Sequence, residues 1–355
     1  MKIINRILKG FTFVVIALFC LFTQQNKALA REDSSSYVVI EKVSGRILYE
    51  HNSTKNAYMA STTKILTAIC VIENFDIEKQ ITVPKECVGV EGSSTYILEG
   101  EIYTVKDLLY GLMLRSGNDC AEALAITLAG SIEKFALLMN KTAQKAGALE
   151  SNFINPHGLH NDEHFTTAYD LALITRYAMN NATFCKIVSC KNYAVTEISK
   201  SVTKNWVNKN KLLSSYDGAT GVKTGFTKKA GRCLVSSAKR GDLELICVVL
   251  NEQNHYEKTR KLLDESFANY KLVKIIDAKK FDYSLPNKNA TKYYKLKIND
   301  DFIYPLAKDE KLEIKIDLPK YMESHPTNGQ KVGEIKIYAL KQLIFSQNIY
   351  TLIND

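Results

Sequence analysis

The spacing of apolar residues along the chain changes twice, and each change marks a different kind of secondary structure. Residues 37–52 ("YVVIEKVSGRILYEHN") hold two runs of β-branched and aromatic residues around a Ser-Gly turn, which predicts a β hairpin. Apolar residues then recur with the period of a helix. These helical windows cover residues 61–73, 104–115, 119–130, 132–148 and 166–180.

A second β region begins at residue 221. Three short apolar runs with glycine-containing connections predict an antiparallel meander, and helical periodicity returns over residues 255–270. Strands first, helices in the middle and strands last predict an α/β fold in which helices flank one antiparallel sheet. We assign this domain to residues 31–271. Beyond it, alternating runs such as "KLEIKIDL" predict a small all-β domain over residues 272–355.

The N-terminus has the pattern of an export signal. Three basic residues precede an apolar run over residues 11–23, and "ALA" follows at residues 28–30. A positive start, a short apolar stretch and an A-x-A site are typical of a cleaved signal peptide over residues 1–30. The apolar run is too short for a membrane span, which needs about 20 residues. We therefore expect cleavage near Ala30 and an exported, extracellular or cell-wall-associated protein.

Charge and cysteine content exclude two other classes. The net charge of +9 is spread along the chain without an arginine-rich run, so nucleic-acid binding has no support in the sequence. Seven of the eight cysteines lie beyond the signal. An odd and scattered set argues against a disulfide framework, and most are expected to be small buried side chains. Cys185 and Cys190 are close enough in sequence to pair, although nothing in the sequence requires it.

The helix predicted within "MASTTKILTAICVIE" begins with an unusual charge. Ser61 occupies the position of an N-cap, and a capping box would place Glu or Gln three residues later. The sequence has Lys64 there, a cation at the positive end of the helix dipole. Burial and positive potential both lower the pKa of a lysine, so Lys64 is suited to take a proton from the Ser61 hydroxyl. The alternative is an ordinary N-cap beside a lysine whose amine reaches solvent.

The S-x-x-K pattern alone does not identify a site. It also occurs at Ser131, which opens an amphipathic helix, at Ser201, in a polar connector, and at Ser236, in a predicted strand. Only Ser61 begins a strongly apolar helix directly after a β hairpin. Its setting, rather than the pattern, marks Ser61 as the candidate nucleophile.

Two further motifs carry suitable chemistry. Ser116 and Asn118 lie in "SGN" between two apolar helices, where an extended linker would point both side chains the same way. "KTG" begins the meander, and Lys223 and Thr224 offer a cation and a hydroxyl to a carboxylate. Gly225 leaves room for another backbone against the strand, as in peptide binding by strand addition. Taken alone, "SGN" is better explained as a helix–helix turn. "KTG" alone can also be an exposed lysine followed by a strand glycine.

The order S-x-x-K, S-x-N, K-T-G is the signature of the penicillin-recognising serine enzymes. Together with "YTVKDLLYGLMLRSGND", "NPHGL", "HFTTAYDLALITRYAM" and "GVKTGFTKKAGRCLVSSAKR", the sequence resembles the D-alanyl-D-alanine carboxypeptidases, the low-molecular-mass penicillin-binding proteins of serine peptidase family S11. The resemblance covers roughly residues 35–350 and implies a β-lactamase/transpeptidase-like domain followed by the small β domain.

The resemblance implies an acyl-serine mechanism. Ser61 would attack the carbonyl between the two terminal D-alanines of a peptidoglycan stem peptide, with Lys64 as its base. Ser116 and Lys223 would complete the proton route to the leaving D-alanine. Water would then release the shortened peptide, and β-lactams would be covalent inhibitors. No cofactor is implied.

Substrate-binding roles follow from the same resemblance. Asn118 would hold the substrate amide, and Lys223 and Thr224, beside Gly225, would bind the terminal carboxylate. The backbone N–H groups of Ser61 and Phe226 would form the oxyanion hole. Phe226 stands where some relatives have histidine, so the substrate preference is open. The chain ends in a predicted strand, where many family members have an amphipathic anchoring helix, so we expect no C-terminal anchor.

Four alternatives remain on the sequence. A class A β-lactamase would add a glutamate for deacylation, and the segment between Ser116 and Lys223 has no matching E-x-x-L-N motif. A transpeptidase would use the same acyl-serine, and an inactive wall-binding module would lack catalysis although all three motifs are intact. Three histidines in "HGLHNDEH" suggest zinc, but the segment is interrupted by Gly and Asn, and we expect no metal site.

Overall fold

The computed structural model of the protein describes residues 34–323 and 325–353. The predicted signal peptide, including Cys20, lies outside these residues. The strands are β1 (Ser36–Glu41), β2 (Ile47–His51), β3 (Gln80–Thr82), β4 (Ile102–Thr104), β5 (Asn192–Glu197), β6 (Val202–Val207), β7 (Ala219–Thr227), β8 (Gly231–Arg240), β9 (Leu243–Leu250), β10 (Tyr270–Ile276), β11 (Ser284–Pro286), β12 (Tyr293–Lys297), β13 (Phe302–Ala307), β14 (Leu312–Asp317), β15 (Lys331–Ala339) and β16 (Gln342–Leu352).

Most helices lie in the chain between the two β regions, together with the short strands β3 to β6, and one helix follows the second region. They are α1 (Lys64–Asn74), α2 (Val105–Tyr110), α3 (Asn118–Ala129), α4 (Ile132–Lys145), α5 (Ala168–Ala178), α6 (Ala182–Ser189), α7 (Leu212–Ser215) and α8 (His255–Asn269). The predicted helix over residues 104–115 starts with a capping box, in which Thr104 and Asp107 each accept a hydrogen bond from the other's backbone N–H. It continues after Tyr110 as a π-helical segment, Gly111–Arg115, which ends at Ser116.

The first and last strands of the α/β domain lie in one sheet, as predicted. The central sheet has the order β2-β1-β9-β8-β7 and is antiparallel, with β1 paired to β9 from Ser36↔Leu250 to Glu41↔Leu245. Alternate residues of β1 face opposite sides of the sheet. Val38 belongs to the large core that includes α1, whereas Val39 packs in the smaller core with Leu262 and Leu263 of α8.

The C-terminal region is all-β, as predicted. Its five-stranded sheet has the order β11-β12-β16-β15-β14 and surrounds its own apolar core, with Leu296, Ile337 and Ile349 among the buried residues. A second pairing joins β10 to β13. The predicted domain boundary between residues 271 and 272 falls inside β10, which directly follows α8. The fold is therefore an α/β domain with a flanked antiparallel sheet, followed by a small β-rich domain.

One arginine joins the two regions. The Arg46 guanidinium, in the turn between β1 and β2, makes two 2.7 Å hydrogen bonds to the Glu310 carboxylate. It also lies 5.3 and 4.8 Å from the ring centroids of Tyr270 and Tyr304. The combination of a bidentate ion pair with two aromatic rings is a strong arrangement for arginine. It holds the C-terminal region against the first hairpin.

The cysteines agree with the sequence prediction. All seven in the described part of the chain are free, five are buried, and Cys185 and Cys190 are half-buried without forming a disulfide. Burial raises the pKa of the thiols of Cys70, Cys87 and Cys233 to about 12, so these side chains are inert at neutral pH. Within residues 34–323 and 325–353, no helix is both long and apolar enough to cross a bilayer.

Candidate active site

The turn that carries Ser61 differs from the prediction. Residues Ala60–Thr63 form a short 3-10 helix, and the α-helix begins only at Lys64. Ser61 is therefore not an N-cap, and its hydroxyl makes no capping hydrogen bond. The reason is local, because Thr62 and Thr63 donate their hydroxyls to the carbonyls of Met59 and Ala60 and tighten the turn. The Ser61 hydroxyl is left free to face the cleft.

Ser131 shows what an ordinary S-x-x-K serine does. Its side chain accepts a hydrogen bond from Lys134 N at 3.2 Å and caps α4. Ser236 lies buried in β8, and Ser201 sits in the exposed turn after β5. Ser61, whose Oγ lies 3.2 Å from Lys64 Nζ, stays the candidate nucleophile.

Lys64 is fully buried and has three close polar neighbours. Its Nζ donates to Asn118 Oδ1 at 2.6 Å and to the carbonyl of His157 at 2.7 Å, and it lies 3.2 Å from Ser61 Oγ. A neutral primary amine has two N–H bonds and one lone pair. The Asn118 and His157 oxygens use the two N–H bonds, so the lone pair is available to the Ser61 hydroxyl.

The electrostatics favour that neutral form. Burial holds the pKa of Lys64 well below its usual range, and the positive charge of Lys223 lowers it further. Lys223 is also buried, which lowers its own pKa to about 7, with a contribution from Lys209. Two lysines that share one buried region cannot both remain charged at low cost. Lys64 stays the candidate base for Ser61.

The "SGN" segment has a backbone conformation that the sequence did not indicate. Ser116 adopts the left-handed conformation, with φ 64° and ψ 33°, and Asn118 is already the first residue of α3. The linker is therefore not extended, and that expectation was wrong. The π-helical turn before it and the left-handed residue redirect the chain. As a result Asn118 bonds Lys64, whereas Ser116 lines the same cleft as Ser61.

The "KTG" strand is β7, at the edge of the central sheet. Lys223 points inward and donates its Nζ to the Thr224 carbonyl at 2.9 Å, whereas Thr224 and Phe226 line the cleft. A Cβ at Gly225 would lie 3.0 Å from Met59 O and 3.1 Å from Ser61 N. The sequence predicts that another backbone lies against Gly225. In the structure this backbone is the turn of the same chain that carries Ser61.

The cleft itself has a volume of about 350 Å³ and contains residues that the sequence did not single out. Predicted residues on its wall are Ser61, Ser116, Thr224, Gly225 and Phe226. Those missed are Ser93, Lys209, Lys211, Arg232, His255 and Tyr256. Four of these six are basic, and no carboxylate occurs among the described residues that line the cleft. They come from four separate segments and share no motif, so only the fold brings them together.

Two of the three histidines near residue 160 contact residues of the site. The His157 carbonyl accepts from Lys64, and its ring Nε2 lies 3.2 Å from Glu122 Oε1. His164 Nε2 lies 2.8 Å from Thr63 Oγ1, and burial lowers the pKa of His164 to about 3, so its ring is neutral. Across the described chain, no group of three or more His, Cys, Asp or Glu side chains could hold a metal ion.

The sequence matches a known family over most of the α/β domain. The family model described as D-alanyl-D-alanine carboxypeptidase, Peptidase_S11, matches residues 23–254. The D-alanyl-D-alanine carboxypeptidase DacF of Bacillus subtilis is 32% identical over 280 residues, which cover 76% of this chain and 72% of the relative.

Solved structures extend the likeness to the whole fold. Penicillin-binding protein 5 from Haemophilus influenzae superimposes with a TM-score of 0.76 at 27% identity, covering 89% of this chain and 96% of that one. The Streptomyces K15 DD-transpeptidase gives a TM-score of 0.62 at 32% identity over 65% of this chain and 96% of its own. The protein therefore belongs to peptidase family S11, the D-alanyl-D-alanine carboxypeptidases.

Proposed function

We propose that this protein removes the terminal D-alanine from peptidoglycan stem peptides ending in D-Ala-D-Ala, through an acyl enzyme on Ser61. The observation that carries the proposal is the geometry of Lys64. Its two N–H bonds are used by Asn118 and the His157 carbonyl, and its lone pair is left for Ser61 Oγ at 3.2 Å. A serine becomes an effective nucleophile when a positioned base takes its proton.

Acylation uses groups that surround Ser61. Lys64 accepts the hydroxyl proton as Oγ attacks the carbonyl carbon, and the developing oxyanion is stabilised by the backbone N–H groups of Ser61 and Phe226. The leaving amine of D-alanine needs a proton. Lys223, whose pKa is lowered to about 7, can hold and return a proton at neutral pH, and we assign the Ser116 hydroxyl to relay that proton to the leaving group. Water then attacks the acyl-serine and regenerates the enzyme.

The residues on the cleft wall favour a slow release of penicillin. β-Lactams would acylate Ser61, because they resemble the acyl donor. A class A β-lactamase activates its deacylating water with a glutamate, and the described lining of this cleft offers no carboxylate to do so. A long-lived penicillin adduct is therefore the expected outcome. The K15 relative is named a DD-transpeptidase, so transfer to an amine acceptor is the second candidate.

The same proposal places the enzyme outside the cell. The N-terminal pattern of residues 1–30 and the wall polymer as substrate support export, followed by action on the cell wall. Amino-terminal sequencing of the protein recovered from culture medium or cell wall tests this. A mature N-terminus close to Arg31 is expected, and recovery of an intact Met1 form in the cytoplasm alone would contradict export.

The primary test is release of D-alanine by the protein from Arg31 onward, using an acetylated peptide that ends in D-Ala-D-Ala. A peptide ending in L-Ala-L-Ala is the control for stereospecificity. We expect free D-alanine and a penicillin adduct that persists for many turnovers of the peptide reaction. Fast loss of the adduct would indicate a β-lactamase. Release only in the presence of an added amine acceptor, with a new peptide bond, would indicate a transpeptidase.

Gly225→Ala should slow acylation more than it destabilises the fold. An added Cβ meets backbone atoms of Met59, Ser61 and Thr62 at 3.0–3.1 Å, so the turn must shift with its nucleophile. Displacements near 1 Å cost roughly 100-fold in rate, and we expect penicillin acylation to slow by at least about tenfold. Gly241→Ala, in the turn after β8, is the control.

The Gly241 control separates active-site displacement from general strain. Nothing lies within 4 Å of a Cβ at Gly241, although its φ of 59° makes alanine unfavourable. It should lower the melting temperature without slowing acylation. Equal acylation rates in Gly225→Ala and the parent protein would show that Gly225 does not set the position of Ser61.

A further inference from the structure

A carboxypeptidase must recognise the free carboxylate at the end of its substrate, and the following inference rests on the proposed function. Lys223, the cation suggested by the sequence, is poorly placed for this task. It is 2% exposed and its Nζ donates to the Thr224 carbonyl. A buried lysine that also transfers protons is a weak permanent partner for an anion. Another cation in the cleft is better suited.

Arg232 lies next to the Thr224 hydroxyl in the sheet. Strands β7 and β8 pair with Phe226 opposite Arg232 and Thr224 opposite Leu234. Directly opposed residues of antiparallel strands share a face, as do residues two apart on one strand. Thr224, Phe226 and Arg232 are therefore on one face of the sheet, and all three line the cleft.

The Phe226 ring positions the guanidinium of Arg232, and no described carboxylate pairs with its charge. It lies 5.7 Å from the ring centroid of Phe226, a distance at which a cation is attracted to the ring face. Within the described part of the protein, its side chain makes no hydrogen bond or ion pair. An exposed arginine held by an aromatic ring keeps its planar set of N–H donors available. Such a set matches the two oxygens of a carboxylate.

The surroundings of Arg232 add to its attraction for an anion. Lys209 and Lys211 line the same cleft, without a carboxylate among the described lining residues to compensate them. Lys209 is itself engaged, since its Nζ donates to Ser93 Oγ at 3.1 Å. Clefts lined by charges of one sign concentrate ligands of the opposite sign.

We propose that Arg232 binds the terminal carboxylate of the substrate, together with the Thr224 hydroxyl, and that the Phe226 ring positions the guanidinium. Arg232 is thereby the residue that makes the enzyme act at a free C-terminus. Phe226 acquires a role for its side chain in addition to its backbone N–H. The histidine that some relatives have at this position would not hold an arginine in the same way.

The test compares a D-Ala-D-Ala peptide carrying a free C-terminal acid with its C-terminal amide. The parent enzyme should prefer the acid. Arg232→Gln should lower kcat/KM for the acid by roughly ten- to a hundredfold, the value of a charge-assisted hydrogen bond, with little effect on the amide. Retained activity on the amide also shows that the variant is folded. Arg232→Lys should recover part of the loss.

Two further variants sharpen the result. Arg240→Gln is the matched control, because it makes the same substitution at the other end of β8, where the arginine bonds Asp264 outside the cleft. It should leave the acid-to-amide ratio unchanged. Phe226→Leu should raise KM for the acid more than it lowers kcat, as expected for a positioning residue.

The outcomes separate this inference from the proposed function. An unchanged acid-to-amide ratio in Arg232→Gln, with D-alanine still released, would overturn the role of Arg232 and leave the carboxypeptidase in place. A loss of that preference in Lys209→Gln but not in Arg232→Gln would assign the carboxylate to Lys209 instead. Absence of release from either peptide by the parent enzyme would overturn the proposed function and this inference together.

Discussion

Ser61→Ala is expected to abolish release of D-alanine, by roughly 10⁴- to 10⁶-fold, while leaving the fold intact. Removal of a nucleophile eliminates the acyl-enzyme route, and the remaining groups provide only binding and oxyanion stabilisation. Stability should change little, because the Ser61 hydroxyl caps no helix. D-alanine release, covalent labelling by penicillin and thermal unfolding together measure the effect. Both the release and the label should disappear.

Ser131→Ala is the matched control for this experiment. Ser131 belongs to another S-x-x-K sequence, but its side chain caps α4. Its removal should cost about 1 kcal/mol of stability, the usual value of an N-cap, without affecting release or labelling. Penicillin labelling that survives in Ser61→Ala would place the nucleophile elsewhere and contradict the mechanism.

Lys64→Met should reduce activity by roughly 10²- to 10⁴-fold, the usual contribution of a general base. Methionine fits a similar volume but has no lone pair on nitrogen to accept the Ser61 proton. Rates of penicillin acylation measure this step directly, because they do not depend on deacylation. An acylation rate within about threefold of the parent enzyme would exclude Lys64 as the base.

The same variant should change how stability depends on pH. The pKa of Lys64 is lowered in the folded protein, so between that lowered value and 10.5 the unfolded chain binds a proton that the native protein does not. Stability of the parent protein therefore rises with pH across this window, by up to about 1.4 kcal/mol per pH unit for one such group. Denaturant unfolding at several pH values should show a smaller slope in Lys64→Met. Lys223, unchanged in this variant, still contributes from about pH 7 upward.

Much of the fold followed from periodicity. The first hairpin, the meander and the C-terminal β region occur where alternation predicted them, since strands with one buried face must repeat every two residues. The order of the elements, with strands first and last and helices between them, predicts that the first and last strands share one sheet. Family membership followed from the three motifs and is confirmed by the comparisons.

The local backbone at the site could not be predicted in the same way. The 3-10 turn at Ser61 is tightened by the hydroxyls of Thr62 and Thr63, and a helix N-cap and such a turn look alike in the sequence. The left-handed Ser116 follows a π-helical segment that no local propensity indicates. The sequence predicts that a backbone segment lies close to Gly225, but only the structure shows that this segment is the turn that carries Ser61. Basic residues such as Lys209 and Arg232 look like ordinary surface charges until the sheet and α8 bring them together around one cleft.

The pairing of β1 with β9 also sets the order in which the domain can fold. Lys42, directly after β1, forms a 3.0 Å ion pair with Glu244 of β9, a residue 202 positions later in the chain. Contacts between such distant residues are slow to form, because a long loop must close before any of them contributes stability. The first hairpin therefore stays unpaired along one edge until almost the whole domain has been synthesised. A chain in this state can aggregate through the free strand edge of the hairpin.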